Sequence, residues 1–417
     1  MQQEQVDVLI IGAGPSGSVA AAYLHKQGLR IKVVEKSKFP RFVIGESLIP
    51  RCMDHFEAVG LLDCIKAMNF EVKDGARFMN DKGVVCNFDF SKKHGNGWNW
   101  TWQVPRADFD KALTDELQSW GVDVSFEHEV TGVAFAEYGS SVTSIKDGQG
   151  NESSVKAKFI VDSSGFGRVL PRLLDLEKPS KIPKHSSIFT HVLDEKRPEG
   201  REGTIITFDI IDTDTWLWVI PFSNGVTSIG YVGKTEYLES FEGTNTEKLQ
   251  QMMKLSGYYF DRFNGLDYLF EPRMIKNIAK SVKQLYGKGY VLTGNSAEFL
   301  DPVFSSGVTF AVESAHLASQ LIAKTLKGEQ VDWQTEYTDH MLEGVDVFST
   351  YVKEWYTGNL QTIFFHSKEN KVIKEQICAV LAGYVWDKTN PFVKKHNRLV
   401  KTVAHIAEME IETEGNS

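Results

Sequence analysis

Cysteine is scarce in this chain, and its few cysteines are scattered. Cys52, Cys64, Cys86 and Cys378 form no CxxC pair and no Cys/His spacing of a metal site. This pattern argues against a disulfide framework and predicts reduced thiols in a cytoplasmic protein. The eleven histidines show no HxH or HExxH spacing, and there is no GxSxG nucleophile turn. We therefore expect neither a metal centre nor a serine nucleophile.

Long runs of one residue class are absent as well. The 46 basic and 55 acidic residues give a formal net charge of −9 without any lysine–arginine block, which disfavours nucleic-acid binding. No stretch approaches the roughly 18 apolar residues needed to span a bilayer, and the polar start MQQEQ lacks a signal-peptide pattern. With 417 residues, 42% of them apolar, the chain is expected to form two or three packed units.

The most informative segment present is VDVLIIGAGPSGSVAAAYLHKQG near the start of the chain. An apolar run over residues 6–11 predicts a buried strand, and Gly12, Gly14 and Gly17 follow at GxGxxG spacing before an alanine-rich helix. In this setting the first glycine permits a tight turn, the second lets the backbone approach a pyrophosphate, and the third allows close helix–strand packing. Glu35 ends the next predicted strand, where an acid accepts hydrogen bonds from a ribose. The segment therefore predicts a dinucleotide site.

Four further segments extend this pattern: FPRFVIGESLIP (39–50), WQVPRADFD (102–110), VDSSGFGR (161–168) and VLTGNSAEFLDPVFSSGV (291–308). With these motifs in order, residues 5–330 resemble the FAD-dependent enzymes of the para-hydroxybenzoate-hydroxylase fold. Within them, the chain most resembles the flavin-dependent halogenases that chlorinate pyrroles and phenols, often on a carrier protein. The resemblance implies an α/β (α+β) fold, with a Rossmann-like βαβ three-layer FAD domain, a second antiparallel sheet and a helical C-terminal part.

The resemblance implies FAD as the cofactor and suggests how the chain holds it. Arg41 and Ser47 fall where the family contacts the flavin phosphates and the ring-side loop, and Arg106 where an arginine meets the FAD. Asn295 replaces the usual family aspartate beside the ribityl chain, so a hydrogen-bonding group remains without its charge. The residues predicted to contact FAD are Gly12, Gly14, Pro15, Ser16, Gly17, Glu35, Lys36, Arg41, Gly45, Glu46, Ser47, Arg106, Val130, Asp162, Gly165, Gly294, Asn295, Asp301, Pro302 and Gly307.

Ser306 and Gly307 stand at the start of a predicted amphipathic helix that ends at Gly328. Free amides and the positive end of the helix dipole favour an anion there, although a serine at this place can simply cap the helix. The resemblance implies that this turn holds the halide. Phe304 stands where the tryptophan halogenases have a glutamate, which favours the phenol and pyrrole branch.

The segment TWLWVIP (215–221) places Trp216 and Trp218 two residues apart, on one face of a predicted strand that ends at Pro221. A pair of core aromatics is the simple interpretation. The segment also matches the WxWxIP signature of the halogenases. The resemblance implies that it keeps organic substrate away from the flavin, so that a small halide reacts and hypohalous acid forms. Trp216, Trp218 and Pro221 are therefore predicted catalytic-site residues.

The stretch NFEVKDGARF matches the family's Lys-x-Gly-Ala pattern and places the lysine that delivers the oxidant at Lys73. Burial would lower the pKa of such a lysine and make it a nucleophile, whereas the protonated form donates a hydrogen bond. A solvated surface lysine is the alternative, and Arg77 is a second candidate. Further along, NGWNWTWQ predicts a strand whose three tryptophans either line a substrate pocket or pack in the core: Trp98, Trp100 and Trp102.

The predicted architecture has three parts. The FAD-binding domain covers 1–78, 100–185 and 275–330; the antiparallel sheet covers 79–99 and 186–274, with a hairpin turning at SNG; the helical region covers 331–417. The aromatic residues of the helical region either shape the substrate entrance or pack: Trp355, Tyr356, Phe364 and Phe365.

The favoured function is a two-component halogenase that takes reduced FAD from a separate reductase. It would act on an electron-rich phenol or pyrrole, either free or tethered to a carrier protein. The fold alone does not decide the reaction. The alternatives are a dehydrogenase of the geranylgeranyl-reductase type, a single-component aromatic hydroxylase, and a flavin-binding protein without turnover, which only Asn295 supports.

Overall fold

A computed structural model describes residues 4–415 of the chain. The strands are β1 (Glu4–Ile11), β2 (Ile31–Glu35), β3 (Glu71–Lys73), β4 (Gly75–Met79), β5 (Val85–Asp89), β6 (Thr101–Gln103), β7 (Asp123–Phe126), β8 (His128–Phe135), β9 (Ser141–Asp147), β10 (Glu152–Asp162), β11 (Glu177–Lys178), β12 (His185–Leu193), β13 (Thr207–Asp212), β14 (Thr215–Pro221), β15 (Val226–Lys234), β16 (Arg273–Ile275), β17 (Ser281–Val282), β18 (Tyr286–Gly287) and β19 (Tyr290–Leu292). The helices are α1 (Pro15–Lys26), α2 (Arg51–Val59), α3 (Leu62–Ala67), α4 (Arg106–Ser119), α5 (Val169–Leu173), α6 (Arg201–Thr204), α7 (Thr235–Ser240), α8 (Asn245–Met253), α9 (Gly257–Phe263), α10 (Gly307–Leu326), α11 (His340–Tyr356), α12 (Asn359–Phe364), α13 (Lys371–Leu381), α14 (Pro391–Lys394) and α15 (His396–Gly415).

The first sheet has the order β18-β19-β10-β1-β2-β7, with β9 and β8 joined antiparallel along the first half of β10. Strands β19, β10, β1, β2 and β7 run parallel. Val8, Leu9 and Ile10 are fully buried, as expected for a parallel sheet covered on both faces. The register pairs Ile11 with Asp162 and Asp162 with Leu292, so the turns after β1, β10 and β19 meet at one edge of the sheet.

The second sheet has the order β16-β12-β15-β14-β13-β4-β5 and is antiparallel except where β13 meets β4. Strands β14 and β15 form the predicted hairpin, which turns over residues 222–225. Strand β4 starts at Gly75, so this sheet takes up residues slightly before the expected start at 79. Together the two sheets and the helices that follow confirm the predicted fold class.

The structure corrects one prediction about aromatic residues. Residues 98–102 do not form a continuous strand, because only Thr101–Gln103 is extended in a ladder; that prediction is wrong. Trp98, Trp100 and Trp102 nevertheless contact one another edge to face, at centroid distances of 5.6 and 5.0 Å. Gly95 and Gly97, at φ +77° and +94°, bend the chain just before them, so glycine conformations rather than alternation shape the segment.

The C-terminal part is helical from α11 to α15, as predicted, and it packs onto the rest of the molecule through aromatic rings. Trp355 lies 5.4 Å from Phe78 and 5.9 Å from Phe304, centroid to centroid. Phe364 lies 5.0 Å from Phe78. The two tail residues are thus buried against the second sheet and against the segment that precedes α10. Within residues 4–415, no helix is long and apolar enough to cross a membrane.

Candidate active site

A cavity of about 410 Å³ is lined by residues of both sheets. The turn after β1, Glu35 and the loop after β2 line it. The turn after β10, the start of α10 and strand β14 line it as well. Its position at the carboxyl ends of parallel strands is where open α/β sheets bind nucleotides.

Two glycines of the first turn occupy places where a side chain would not fit. Gly12 has φ +98°, and a Cβ built there would lie 2.5 Å from the carbonyl oxygen of Ser163. A Cβ on Gly17 would lie 1.9 Å from the Gly12 carbonyl oxygen, so only glycine lets α1 start this close to the turn. Glu35 is buried at the cavity, and its carboxylate accepts the Ala13 N–H at 3.0 Å. The carboxylate therefore stands beside the phosphate-binding turn, where a ribose acid is expected.

Two cavity arginines share one carboxylate that the sequence analysis did not assign. Arg106 donates from Nε and Nη2 to the two oxygens of Asp110 at 2.8 and 2.9 Å, and Arg41 donates to Asp110 at 2.9 Å. Arg106 also donates to the Ile44 carbonyl at 2.9 Å. Asp110 is fully buried, so it fixes both guanidinium groups beside the cavity. Arg106 and Asp110 stand four residues apart on α4, a spacing at which opposite charges meet on a helix.

A group of hydroxyls ties together the three turns that meet at the sheet edge. Ser16 donates to Thr293 at 2.8 Å, and Ser163 is 2.8 Å from the same hydroxyl. Asp162 is fully buried, and its carboxylate accepts the Ser164 N–H at 2.9 Å. Burial raises the pKa of Asp162. These contacts hold the cavity floor in place, and Asp162 acts through the turn rather than by lining the cavity.

Helix α10 begins at the cavity, where Ser306 and Gly307 line it. The first amides of a helix have no acceptor within it, and a 20-residue helix directs its positive dipole end there. The first turn contains no acidic residue. The Thr309 hydroxyl in that turn is buried and has no hydrogen-bond partner among the residues that the structure describes. This end of the cavity is therefore suited to an anion.

Strand β14 lines the cavity with alternate side chains. Trp216, Trp218 and Ile220 line the cavity, whereas Leu217 and Val219 pack in a separate core on the other face of the sheet. The alternation therefore follows the strand period. We call Trp216 and Trp218, whose ring centroids are 6.3 Å apart, the indole wall.

A glycine on the neighbouring strand gives the indole wall its room. Gly230 faces Trp218 across the ladder, and a Cβ there would lie 2.3 Å from the indole ring. The Trp218 Nε1–H donates to the Ser228 hydroxyl at 3.1 Å. Trp218 is thus held by both packing and a hydrogen bond, as expected of a buried indole.

Lys73 lies directly behind the cavity surface. Its Nζ donates to the Ser47 hydroxyl and to the Leu48 carbonyl oxygen, both at 2.7 Å. Ser47 lines the cavity, but Lys73 does not. Burial lowers the pKa of Lys73 to about 7, because no carboxylate compensates for the lost hydration. Arg77, the second candidate, instead lies 3.4 Å from Glu202 and does not line the cavity.

The structure brings most of the predicted residues to the cavity. Those that do not line it are Gly17, Lys73, Val130, Asp162, Pro221, Gly294 and Asp301. Several lining residues were not predicted, among them the apolar segment Phe42–Ile44 and the side chains Phe208 and Phe299. Phe42–Ile44 lies inside the quoted 39–50 motif, so its apolar run was a usable signal. Phe208 and Phe299 reach the cavity through tertiary packing that no local pattern indicates.

The residues present fit FAD. The glycine turn, Glu35 and the two arginines suit the dinucleotide part, and the indole wall with Phe208 suits a flat apolar ring. Among residues 4–415, no cluster of three or more histidine, cysteine, aspartate or glutamate side chains is placed to hold a metal ion. Fold and site together define the class of FAD-dependent oxidoreductases.

The comparisons identify the family. The chain belongs to the FAD binding domain family, whose model matches residues 5–340. It is 28% identical over 385 residues to the 1H-pyrrole-2-carbonyl-[peptidyl-carrier protein] chlorinase of Pseudomonas fluorescens, covering 86% of this chain and 85% of that protein. It is 26% identical to the corresponding brominase of Pseudoalteromonas luteoviolacea, covering 91% and 92%. The expected FAD cofactor and the resemblance to flavin-dependent halogenases are confirmed.

Solved structures add a second kind of relative. A flavoprotein/dehydrogenase from Cytophaga hutchinsonii is 50% identical, with a TM-score of 0.95 and coverage of 98% of this chain and 100% of that one. A flavin-dependent brominase is 24% identical with a TM-score of 0.83, covering 99% of each chain; at that identity the likeness shows the fold. The descriptions of the relatives therefore divide between halogenase and dehydrogenase.

Proposed function

We propose that this protein is a flavin-dependent halogenase acting on an electron-rich aromatic, a phenol or a pyrrole. The observation that supports this most strongly is the set of residues around the part of the cavity that suits the flavin ring. There the indole wall and the start of α10 line one cavity, and Lys73 stands one hydrogen bond behind the cavity-lining Ser47. A hydride-transferring enzyme has no need of a buried lysine at this place or of a wall against organic substrate.

In this proposal each group has a defined task. Bound, reduced FAD supplies the electrons for the reaction with O2. The first amides of α10, at Ser306 and Gly307, hold the halide beside the ring. The indole wall excludes water and organic substrate from that space. Lys73, with its pKa near 7, exists in both protonation states at neutral pH. The protonated form would donate a hydrogen bond to hypohalous acid; the free amine would take the halogen from hypohalous acid, whose hydroxyl leaves with an amine proton as water.

The proposal also names partners. A separate reductase would supply reduced flavin, and halide would be the second substrate. Two curated relatives are named for pyrrole-2-carbonyl groups on a peptidyl carrier protein, and we extend a carrier-tethered aromatic to this chain as its substrate. All four cysteines are free thiols in the structure, which agrees with the cytoplasmic location expected from the sequence.

A dehydrogenase is the second candidate, because the 50%-identical neighbour is described as a flavoprotein/dehydrogenase. The halogenase, the dehydrogenase and the single-component hydroxylase differ in how their flavin is reduced and reoxidised. Under nitrogen, a single-component hydroxylase bleaches its flavin with NADH or NADPH, whereas a halogenase without its reductase does not. A dehydrogenase of the alkene-reducing type would reoxidise its reduced flavin with an alkene in the absence of O2.

The deciding experiment reconstitutes the whole reaction. The protein is mixed with FAD, a flavin reductase, NADH, O2 and either bromide or chloride, and is offered phenols and pyrroles, free or carrier-bound. We expect products with the isotope pattern of one halogen.

The Lys73→Ala variant should lose this product by at least 100-fold while reduced FAD is still reoxidised. The matched control is Lys66→Ala, since Lys66 is a partly exposed lysine on α3. Normal halogenation by Lys73→Ala would refute the lysine assignment, and anaerobic alkene reduction without any halogenation would favour the dehydrogenase.

A further inference from the structure

A chain of hydrogen bonds joins the indole wall to the C-terminal helices. The Nε1–H of Trp216 donates to the hydroxyl of Tyr356, the last residue of α11, at 3.3 Å. The same hydroxyl lies 3.1 Å from both carboxylate oxygens of Asp301, to which it donates. Asp301 directly precedes Pro302, which lines the cavity. Three segments that are far apart in the sequence therefore meet at one phenol oxygen.

The groups around this junction offer Trp216 and Asp301 few hydrogen-bond partners besides the Tyr356 hydroxyl. Asp301 is buried, with 3% of its surface exposed; its carboxylate accepts the Val303 N–H at 3.0 Å, and the His185 Nδ1 lies 3.8 Å from one of its oxygens. The His185 ring stacks on the Tyr356 ring at a centroid distance of 3.8 Å and an angle of 14°. Burial lowers the pKa of His185 to about 4, so the imidazole is neutral near pH 7 and places no positive charge beside Asp301. Burial also raises the pKa of Asp301 to about 7.

The phenol is suited to this place because it accepts and donates at once. Burial and the Asp301 carboxylate raise the pKa of Tyr356 well above its ordinary value, so its proton stays on the oxygen and points to Asp301. The oxygen lone pairs then receive the Trp216 N–H. Without the hydroxyl, a buried indole N–H and a buried carboxylate would both lose a partner, which is unfavourable.

We propose that Tyr356 is a positioning residue that couples the packing position of α11 to the orientation of the Trp216 ring at the flavin cavity. Tyr356 does not line the cavity and acts through the indole. The consequence for the reaction rests on the proposed halogenase function, because there the indole wall separates halide from organic substrate. The consequence for the flavin environment rests only on FAD binding.

The test compares two tyrosines of the same helix. Tyr356→Phe removes the junction, and Tyr351→Phe is the matched control, because the buried Tyr351 hydroxyl has no hydrogen-bond partner among the described residues. The first readout is the visible absorption and fluorescence of bound FAD. We expect Tyr356→Phe to shift the spectrum or change its quenching, and Tyr351→Phe to match the wild type. The second readout is halogenated product per NADH consumed, which should fall at least threefold in Tyr356→Phe alone.

A double variant excludes a merely structural effect. If Tyr356 acts through Trp216, then Tyr356→Phe combined with Trp216→Phe should change the FAD spectrum no further than Trp216→Phe alone. Additive changes, a wild-type spectrum for Tyr356→Phe, or an equal change for Tyr351→Phe would each overturn the proposal. The failure of the wild type to halogenate would count against the proposed function only, since the FAD spectrum still decides the coupling.

Discussion

Replacing Lys73 by methionine should change how the stability of the protein depends on pH. Lys73 has 3% of its surface exposed, and burial lowers its pKa from 10.5 to about 7. Between these two values the unfolded chain binds a proton that the folded chain does not, so the free energy of unfolding rises as the pH rises. Below about pH 6 the lysine is protonated in both states, and its contribution is constant.

The magnitude follows from the two pKa values. One proton of difference corresponds to about 1.4 kcal/mol per pH unit, and allowing for partial titration near pH 7 gives about 2.5 kcal/mol between pH 7.5 and 9.5. Methionine lacks this contribution but leaves the Ser47 hydroxyl and the Leu48 carbonyl without their donor. That loss costs about 1–3 kcal/mol per buried group at every pH. It therefore changes the free energy of unfolding by the same amount at every pH, so only the titration of the lysine changes the slope with pH.

The assay is urea unfolding followed by tryptophan fluorescence, with wild type and Lys73→Met at the same saturating FAD concentration. The difference in unfolding free energy, wild type minus variant, should be flat between pH 5 and 6 and should increase by about 2.5 kcal/mol from pH 7.5 to 9.5. Lys254→Met, at an exposed lysine that follows α8, is the control and should give a constant difference. A difference for Lys73→Met that stays constant within about 0.5 kcal/mol from pH 7.5 to 9.5 would refute the buried, largely neutral lysine.

Two further predictions test the cofactor turn and the indole wall. Glu35→Ala removes the acceptor of the Ala13 N–H and an expected ribose contact, so the Kd for FAD, measured by fluorescence titration, should rise at least 10-fold; an unchanged Kd would contradict the ribose assignment. Gly230→Ala places a Cβ 2.3 Å from the Trp218 ring and should lower the free energy of unfolding by about 1–3 kcal/mol, with a changed FAD spectrum. Gly257→Ala, where a Cβ meets nothing within 4 Å, is its control and should change neither quantity.

The parts of the site that sequence reasoning predicted correctly are those written in local patterns. The turn after β1 combines an apolar strand, three spaced glycines and an acid at the end of the next strand, and all of these signals lie within 35 residues. The alternation in β14 was equally easy to predict, because a strand directs every second side chain to one face. Trp216 and Trp218 line the cavity as a pair for that reason.

The parts that were missed depend on contacts between distant segments. Asp110 holds two arginines, one of them 69 residues away, and nothing local announces that pairing. Tyr356 was expected only to shape an entrance or to pack, and its bond to Asp301 spans 55 residues. The three tryptophans of 98–102 misled the strand prediction, because edge-to-face contacts between neighbouring rings do not require an extended ladder.

The two-sided burial of β14 has a consequence for altering this enzyme. Positions 216, 218 and 220 line the cavity, whereas positions 217 and 219 support the other core. A mutant library confined to the first set would sample reactivity without touching the second core. Truncating a buried tryptophan to alanine costs about 3–5 kcal/mol, so most such variants would fail for want of stability. Productive changes should therefore come through exchanges among rings of similar size, and the selectivity of this pocket should shift in small steps.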